Sequence, residues 1–261
     1  MYNTLNVKGQ LMDLSEPRVM GILNATPDSF FAASRQQTAE QIARRARQIV
    51  SEGASFIDVG ACSTRPGADV ATEAEEMERL RTALAMVRRE LPDAVVSVDT
   101  FRPDVARMAV EEYGADIIND VYPSVEMFRM VSRLRVPYIL MSSKPTLREI
   151  LLEFADWVQQ LRDFGQKDII LDPGFGFGKS LEQNYEVMSQ MERLQVMELP
   201  VLVGVSRKSM IYKFLGTSPD EALNGTTMLN TVALQKGAAI LRVHDVREAV
   251  ECVKMYNRLT I

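Results

Sequence analysis

The sequence predicts an α/β protein, a single (β/α)8 TIM barrel over residues 1–261 with its active site at the C-terminal ends of the strands. Three observations predict it. The chain has 261 residues and is 46% hydrophobic, enough for one large core. Eight short apolar runs alternate with longer amphipathic stretches. Polar residues gather where the apolar runs end.

The apolar runs are VMGIL (19–23), FIDVG (56–60), AVVSVD (94–99), ADIIND (115–120), PYILM (137–141), DIILD (168–172), VLVGVS (201–206) and AAILRV (238–243). Each is rich in β-branched residues and too short for a typical helix. Near-continuous apolarity fits strands buried on both faces. Between them, 38–53 puts Ile42, Ala46, Ile49 and Val50 on one helical face and stops at Gly53. The stretch 73–92 carries acids in its first turns and bases in its last, which complements the helix dipole. The stretch 103–114 opens on proline and closes on glycine. Further helices are predicted over 125–134, 146–164, 181–193, 219–236 and 245–258. A doubly wound open sheet is the runner-up, weakened because no G-x-G-x-x-G follows the first run.

The net charge of −5 argues against a nucleic-acid partner, whose phosphates call for surplus Lys and Arg. Two cysteines, Cys62 and Cys252, are not a disulfide framework. The start, MYNTLNVKGQ, lacks the apolar stretch expected of a secretion signal, and no apolar run is long enough to span a membrane. These features predict a cytoplasmic protein with no membrane partner.

In chain order the run ends supply Asn24, Asp58, Asp99, Asn119 with Asp120, Asp172, Ser206 with Arg207 and Lys208, and Arg242 with His244. Acids and amides come from the second, third, fourth and sixth runs, and Lys208, Arg242 and His244 from the last two. Loops after the last two strands are the usual phosphate site of such barrels, and cations there suit a phosphate or diphosphate. Acids and amides across the mouth suit a ligand rich in N–H groups. The rim therefore reads as two-sided, phosphate against nitrogen heterocycle.

Ordinary structural roles compete with this reading. Asp104 and Asp245 read as helix caps or turn residues, and Asp120, beside Asn119, stays open. Asp58, Asp99 and Asp172 each close a buried run, where an acid is costly unless paired. A lone histidine is usually structural, but Arg242 lies two residues before His244, so both can point the same way. DPGFGFGKS (172–180) lacks the G-x-x-x-x-G-K-[ST] spacing of a phosphate loop. It reads as a close-packed turn with Phe175 and Phe177 near the mouth, and Lys179 is given no phosphate.

The segments NATPDSF (24–30), DVGACSTRPGA (58–68), SVDTF (97–101), IIND (117–120), DPGFGFGKS (172–180), VGVSRKSMI (203–211) and RVHDV (242–246) resemble the dihydropteroate synthase family, in family order and over essentially the whole chain. The resemblance implies condensation of a dihydropterin diphosphate with p-aminobenzoate, diphosphate leaving ahead of amine attack through a cation-like pterin. By the same resemblance Asp99, Asn119, Met141, Asp172 and Lys208 bind pterin. Asn24, Thr64, Arg242 and His244 bind diphosphate, with Asn24 also holding Mg²⁺. Thr64, Arg65, Pro66, Phe177, Lys208 and Ser209 line the p-aminobenzoate side, and Asp172, Lys208 and Arg65 are the catalytic set. The family implies a homodimer and small-molecule partners only.

Two loops depart from the family pattern. FAASRQQ (31–37) stands where Ser-Asp-Gly-Gly is usual, and LMSSKPT (140–146) puts Ser142 in the place of a histidine. Two alternatives stay open at this point: a methyltetrahydrofolate methyltransferase working with a corrinoid protein, and a pterin-binding module without turnover. The first has no need of STRPG, SRK or RVH.

Overall fold

The computed structural model describes residues 4–25, 35–62 and 71–259. It opens with an antiparallel hairpin, β1 (Thr4–Val7) and β2 (Gln10–Asp13). Eight parallel strands follow: β3 (Arg18–Asn24), β4 (Phe56–Gly60), β5 (Val96–Asp99), β6 (Ile117–Asp120), β7 (Tyr138–Met141), β8 (Ile169–Asp172), β9 (Val201–Val203) and β10 (Ala238–Val243). They pair in chain order, and β10 returns to β3, closing the barrel. The predicted fold class is the observed one, and all eight apolar runs contribute a strand.

Among the described residues the helices are α1 (Arg35–Ser51), α2 (Glu73–Glu90), α3 (Pro103–Tyr113), α4 (Val125–Leu134), α5 (Leu147–Asp163), α6 (Leu181–Ser189), α7 (Ser209–Leu215), α8 (Leu223–Gln235) and α9 (Val246–Leu259). Capping boxes start three of them: Thr72 with Glu75, Thr146 with Glu149, and Ser180 with Gln183. None is long and apolar enough to cross a membrane.

Three expectations are corrected. The hairpin was not predicted, because strands of four residues carry little periodicity. The stretch 219–236 is a 3-10 turn at Pro219–Glu221 followed by α8, and a separate short helix, α7, precedes it and ends at Gly216 in the left-handed region. The stretch 181–193 ends as an α-helix at Ser189 and continues as a 3-10 segment, Met191–Met197.

Side-chain alternation sorts the strands into two shells. Outward residues such as Val59, Val98, Ile118, Leu140 and Leu171 pack under the helices in one continuous core. Inward residues Met20, Phe56, Ile117, Ile139, Ile170, Leu202 and Ile240 form a second core inside the barrel, together with Leu5, Val7 and Leu14 from the hairpin region. The hairpin thus plugs the N-terminal mouth, and the Asn6 backbone N–H donates to Asp168 Oδ1 at 2.9 Å to fix it there.

Candidate active site

A strand turns successive side chains to opposite faces. Two residues beyond each inward apolar residue, the next inward position is therefore Asp58, Asn119, Met141, Asp172 and Arg242, on β4, β6, β7, β8 and β10; Asp99 ends β5 two residues after buried Ser97. A polar layer sits directly on an apolar one, at the C-terminal end of the barrel.

Arg242 organises one half of that layer. Its Nε donates to Asp58 Oδ2 at 2.6 Å and its second terminal nitrogen to Asp99 Oδ2 at 2.7 Å. Asn119 Nδ2 donates to the same Asp58 oxygen at 3.1 Å. The cation expected to face phosphate reaches across to the acidic side, so in this structure the two halves of the rim are joined. Joining them is what makes a fully buried Asp58 tolerable. One guanidinium does not neutralise two carboxylates, and burial, opposed by Arg242 and assisted by Asp58, pushes Asp99 up to about 7. Asp58 Oδ1 and Asn119 Oδ1 are buried with no partner in the protein, so both remain as acceptors.

The other half is built by the turn after β8. Gly174 N–H donates to Asp172 Oδ1 at 2.8 Å. Burial raises the Asp172 carboxyl, and Lys208 pulls it back. Lys208 Nζ donates to the Phe175 carbonyl and lies 4.8 Å over the Phe177 ring. Burial pushes Lys208 down to about 8. The turn is as tight as its sequence promised. Gly174 and Gly178 have φ of +67° and +60°, and a Cβ on either would overlap the carbonyl oxygen of Ser142 or Ser143. Phe175 is buried, while Lys179 Nζ is taken up by the carbonyls of Gly174, Phe177 and Ser142 at 3.0, 3.2 and 3.3 Å. No phosphate role is left for that lysine.

The remaining predicted residues divide cleanly. Asn24 is exposed at the end of β3, beside the strand that carries Asp58. His244 is half-buried past β10; its backbone N–H donates to Ser206 Oγ at 3.1 Å, and Arg45 donates to its carbonyl at 2.6 Å. Ser209 is the first residue of α7. Met141, buried, pairs in register with Asp172. Thr64, Arg65 and Pro66 lie outside the described residues, as do 26–34 of the first loop.

Two acids find roles the sequence left open or misread. Asp120 accepts from Tyr138 OH at 2.6 Å and from the Tyr122 N–H at 2.7 Å, so it is structural. Asp245 does precede α9, but its carboxylate is spent on Arg207, at 2.8 and 2.9 Å, rather than on the helix. Ser142, in the histidine's place, donates to Glu153 Oε2 at 2.5 Å, and Lys144 stands 3.5 Å from the same carboxylate. No group of three His, Cys, Asp or Glu residues able to hold a metal occurs among the described residues.

The family model described as pterin binding enzyme matches residues 20–244. The chain is 36% identical to dihydropteroate synthase of Clostridium beijerinckii over 249 residues, covering 91% of this chain and 92% of that one. It is 35% identical to the Escherichia coli K12 dihydropteroate synthase over 268 residues, covering 96% and 94%. A dihydropteroate synthase structure from Xanthomonas albilineans with 4-aminobenzoic acid superposes with a TM-score of 0.93 at 33% identity, over 100% of this chain and 99% of that one. With that sequence identity spread along nearly the whole chain, and the polar layer at the mouth of the barrel, the chain belongs to the dihydropteroate synthase family of pterin-binding enzymes.

Proposed function

We propose that this chain condenses 6-hydroxymethyl-7,8-dihydropterin diphosphate with p-aminobenzoate, giving 7,8-dihydropteroate and diphosphate for folate biosynthesis. The observation that carries the reading is the polar layer on the barrel's apolar floor, buried Asp58, Asn119 and Asp172 with half-buried Asp99 and Arg242. Its free acceptors suit the N–H edge of an amino-pyrimidine ring. Carboxylates that accept from such an edge make strong, discriminating contacts.

The C–O bond to diphosphate breaks first, and its electron pair leaves with diphosphate. Positive charge then develops on the pterin and its methylene carbon. We assign to Asp172, whose Oδ1 is fixed by the Gly174 N–H, the stabilisation of that charge without reorganising. The amine of p-aminobenzoate donates its lone pair to the methylene carbon, a C–N bond forms, and the surplus ammonium proton passes to solvent. Lys208 and Phe177, stacked at 4.8 Å, are the described residues assigned to the aminobenzoate side, with Ser209 at the start of α7. Support comes from the related Xanthomonas enzyme, whose structure holds 4-aminobenzoic acid. Thr64, Arg65 and Pro66 complete that side, Thr64 also reaching the diphosphate.

Arg242 and His244 are assigned to the diphosphate, which would draw Arg242 partly off Asp99. Asn24 is assigned to Mg²⁺. Its exposed neutral amide oxygen fits an ion that takes most of its oxygens from diphosphate and water. When bound, Mg²⁺ would neutralise charge on the leaving group.

We further assign the chain to the cytoplasm, consistent with two free thiols, and to a homodimer. The dimer reading is supported by Phe214, Leu215, Met228, Met255 and Leu259, large apolar side chains exposed on α7, α8 and α9. The deciding experiment supplies pterin diphosphate, Mg²⁺ and p-aminobenzoate and measures dihydropteroate. Product formation is expected, with sulfonamides competing against p-aminobenzoate. Folded protein that binds the pterin diphosphate and releases nothing would be a binding module instead.

A further inference from the structure

We propose that Arg207 and Asp245 are positioning residues, a clamp that fixes the loop carrying Lys208 against the loop carrying Arg242 and His244. The inference rests on the assignment of Arg242 and His244 to the diphosphate.

Arg207 is a rim cation in the sequence, and an anion would be its obvious partner. The structure leaves it almost no capacity for one. A guanidinium has five N–H donors. Nε and one terminal nitrogen meet Asp245 Oδ2 and Oδ1 at 2.8 and 2.9 Å, and the other terminal nitrogen meets the carbonyls of Pro219 and Asp220 at 2.9 and 2.7 Å. Four donors are committed inside the protein. The Arg207 backbone N–H is committed too, to Thr226 Oγ1 at 3.0 Å.

These contacts join three segments: the turn after β9, the 3-10 turn before α8, and the residue that enters α9. Lys208 follows Arg207 directly, and His244 directly precedes Asp245. A second tie runs in parallel, since the His244 N–H donates to Ser206 Oγ at 3.1 Å. Arg207 is also held at φ +55°, in the left-handed region that a side chain adopts only where its surroundings over-determine it. That backbone reversal, with Lys208 N–H donating to the Val205 carbonyl at 3.1 Å, turns Lys208 back toward the Phe175 carbonyl. A planar fork matching a carboxylate fixes both distance and angle, which a lysine does not. The clamp therefore acts on the substrate through Lys208 and His244.

The test compares Arg207→Lys, Arg207→Gln, Asp245→Asn and the double variant Arg207→Gln/Asp245→Asn, with Arg242→Ala as a reference. KM for pterin diphosphate, kcat, affinity for hydroxymethylpterin lacking diphosphate, and the thermal midpoint are measured. Each single clamp variant is expected to raise KM for the diphosphate form about tenfold or more, as small misplacements do. Affinity for hydroxymethylpterin falls less than that for the diphosphate form, and the double variant is no worse than either single. Arg207→Lys, which keeps the charge, falls as far as Arg207→Gln. Wild-type KM in Arg207→Lys, strictly additive losses, or a lowered midpoint with unchanged KM would each overturn the clamp. If Arg207→Gln does not fold, the nearly isosteric Asp245→Asn and the charge-keeping Arg207→Lys still read the clamp. Unchanged KM in Arg242→Ala would instead overturn the diphosphate assignment itself.

Discussion

Asp172, Lys208 and Asp99 share one physical circumstance: each is a charge held at the floor of a barrel with few partners. Asp172→Asn keeps the Gly174 contact but removes the negative charge. It should weaken pterin binding and lower turnover together, and a kinetic comparison in which both are unchanged would remove Asp172 from the pterin site. For Lys208 the sign can be followed through pH. Burial places it at about 8 when folded against 10.5 ordinarily. Between those values the folded protein binds fewer protons than the unfolded chain, so this group's contribution to stability rises with pH there. Its cation, however, disappears over the same window. kcat/KM, which reports the free enzyme, should therefore fall above about pH 8 while the thermal midpoint gains from the same titration. Lys208→Arg should remove that alkaline limb from the activity it retains. A persistent limb would assign it to Lys179, which burial also pushes down to about 8. The carboxylates themselves were legible in the sequence, because an acid closing a buried run demands a partner. That Arg242 is the partner was not, since 184 residues separate it from Asp58.

Elements position these groups through their ends. The turn after β8 is the clearest case, because its glycines are required by close approach to the loop after β7. Gly174→Ala would force φ of +67° on a residue with a Cβ and drive that atom into the Ser142 carbonyl. A loss of more than about 2 kcal/mol in denaturant unfolding is expected, with KM for both substrates raised. Thr146→Ala provides a contrast. It removes the α5 capping box, whose bonds run only between Thr146 and Glu149, and should cost about 1 kcal/mol with kinetics unchanged. Helix α5 was legible in the sequence to within a residue at either end, because cap and periodicity agree. Helix α7 was not, and α8 was legible only as the later part of 219–236. A seven-residue helix closed by Gly216 is too short for a periodic signal, and α8, with little polar contrast between its faces, shows no distinct stripe.

At the scale of the whole molecule, stability and chemistry occupy opposite ends of one barrel. The hairpin and the inward apolar layer close the bottom, and the polar layer faces the top. Leu5→Ala should therefore destabilise by about 2–4 kcal/mol, the ordinary cost of a cavity, without changing KM for either substrate. A change in KM at equal temperature and full folding would show that the two ends are mechanically coupled.

The sequence by itself determined the barrel, the order of its strands, and the set of inward polar positions, because a two-residue period and buried runs are local properties of a chain. It also supplied the motifs that mark the family, since they lie at the ends of those runs. Only the tertiary structure decided how the set is wired. Closure brings β10 back beside β3, which carries Arg242 across to Asp58 and Asp99 and so joins halves that looked separate. It also ties Arg207 to Asp245, a cation and an acid that read separately as a rim charge and a helix cap. Pairings of this kind depend on distances between residues far apart in the chain, and no local pattern of residue types encodes them.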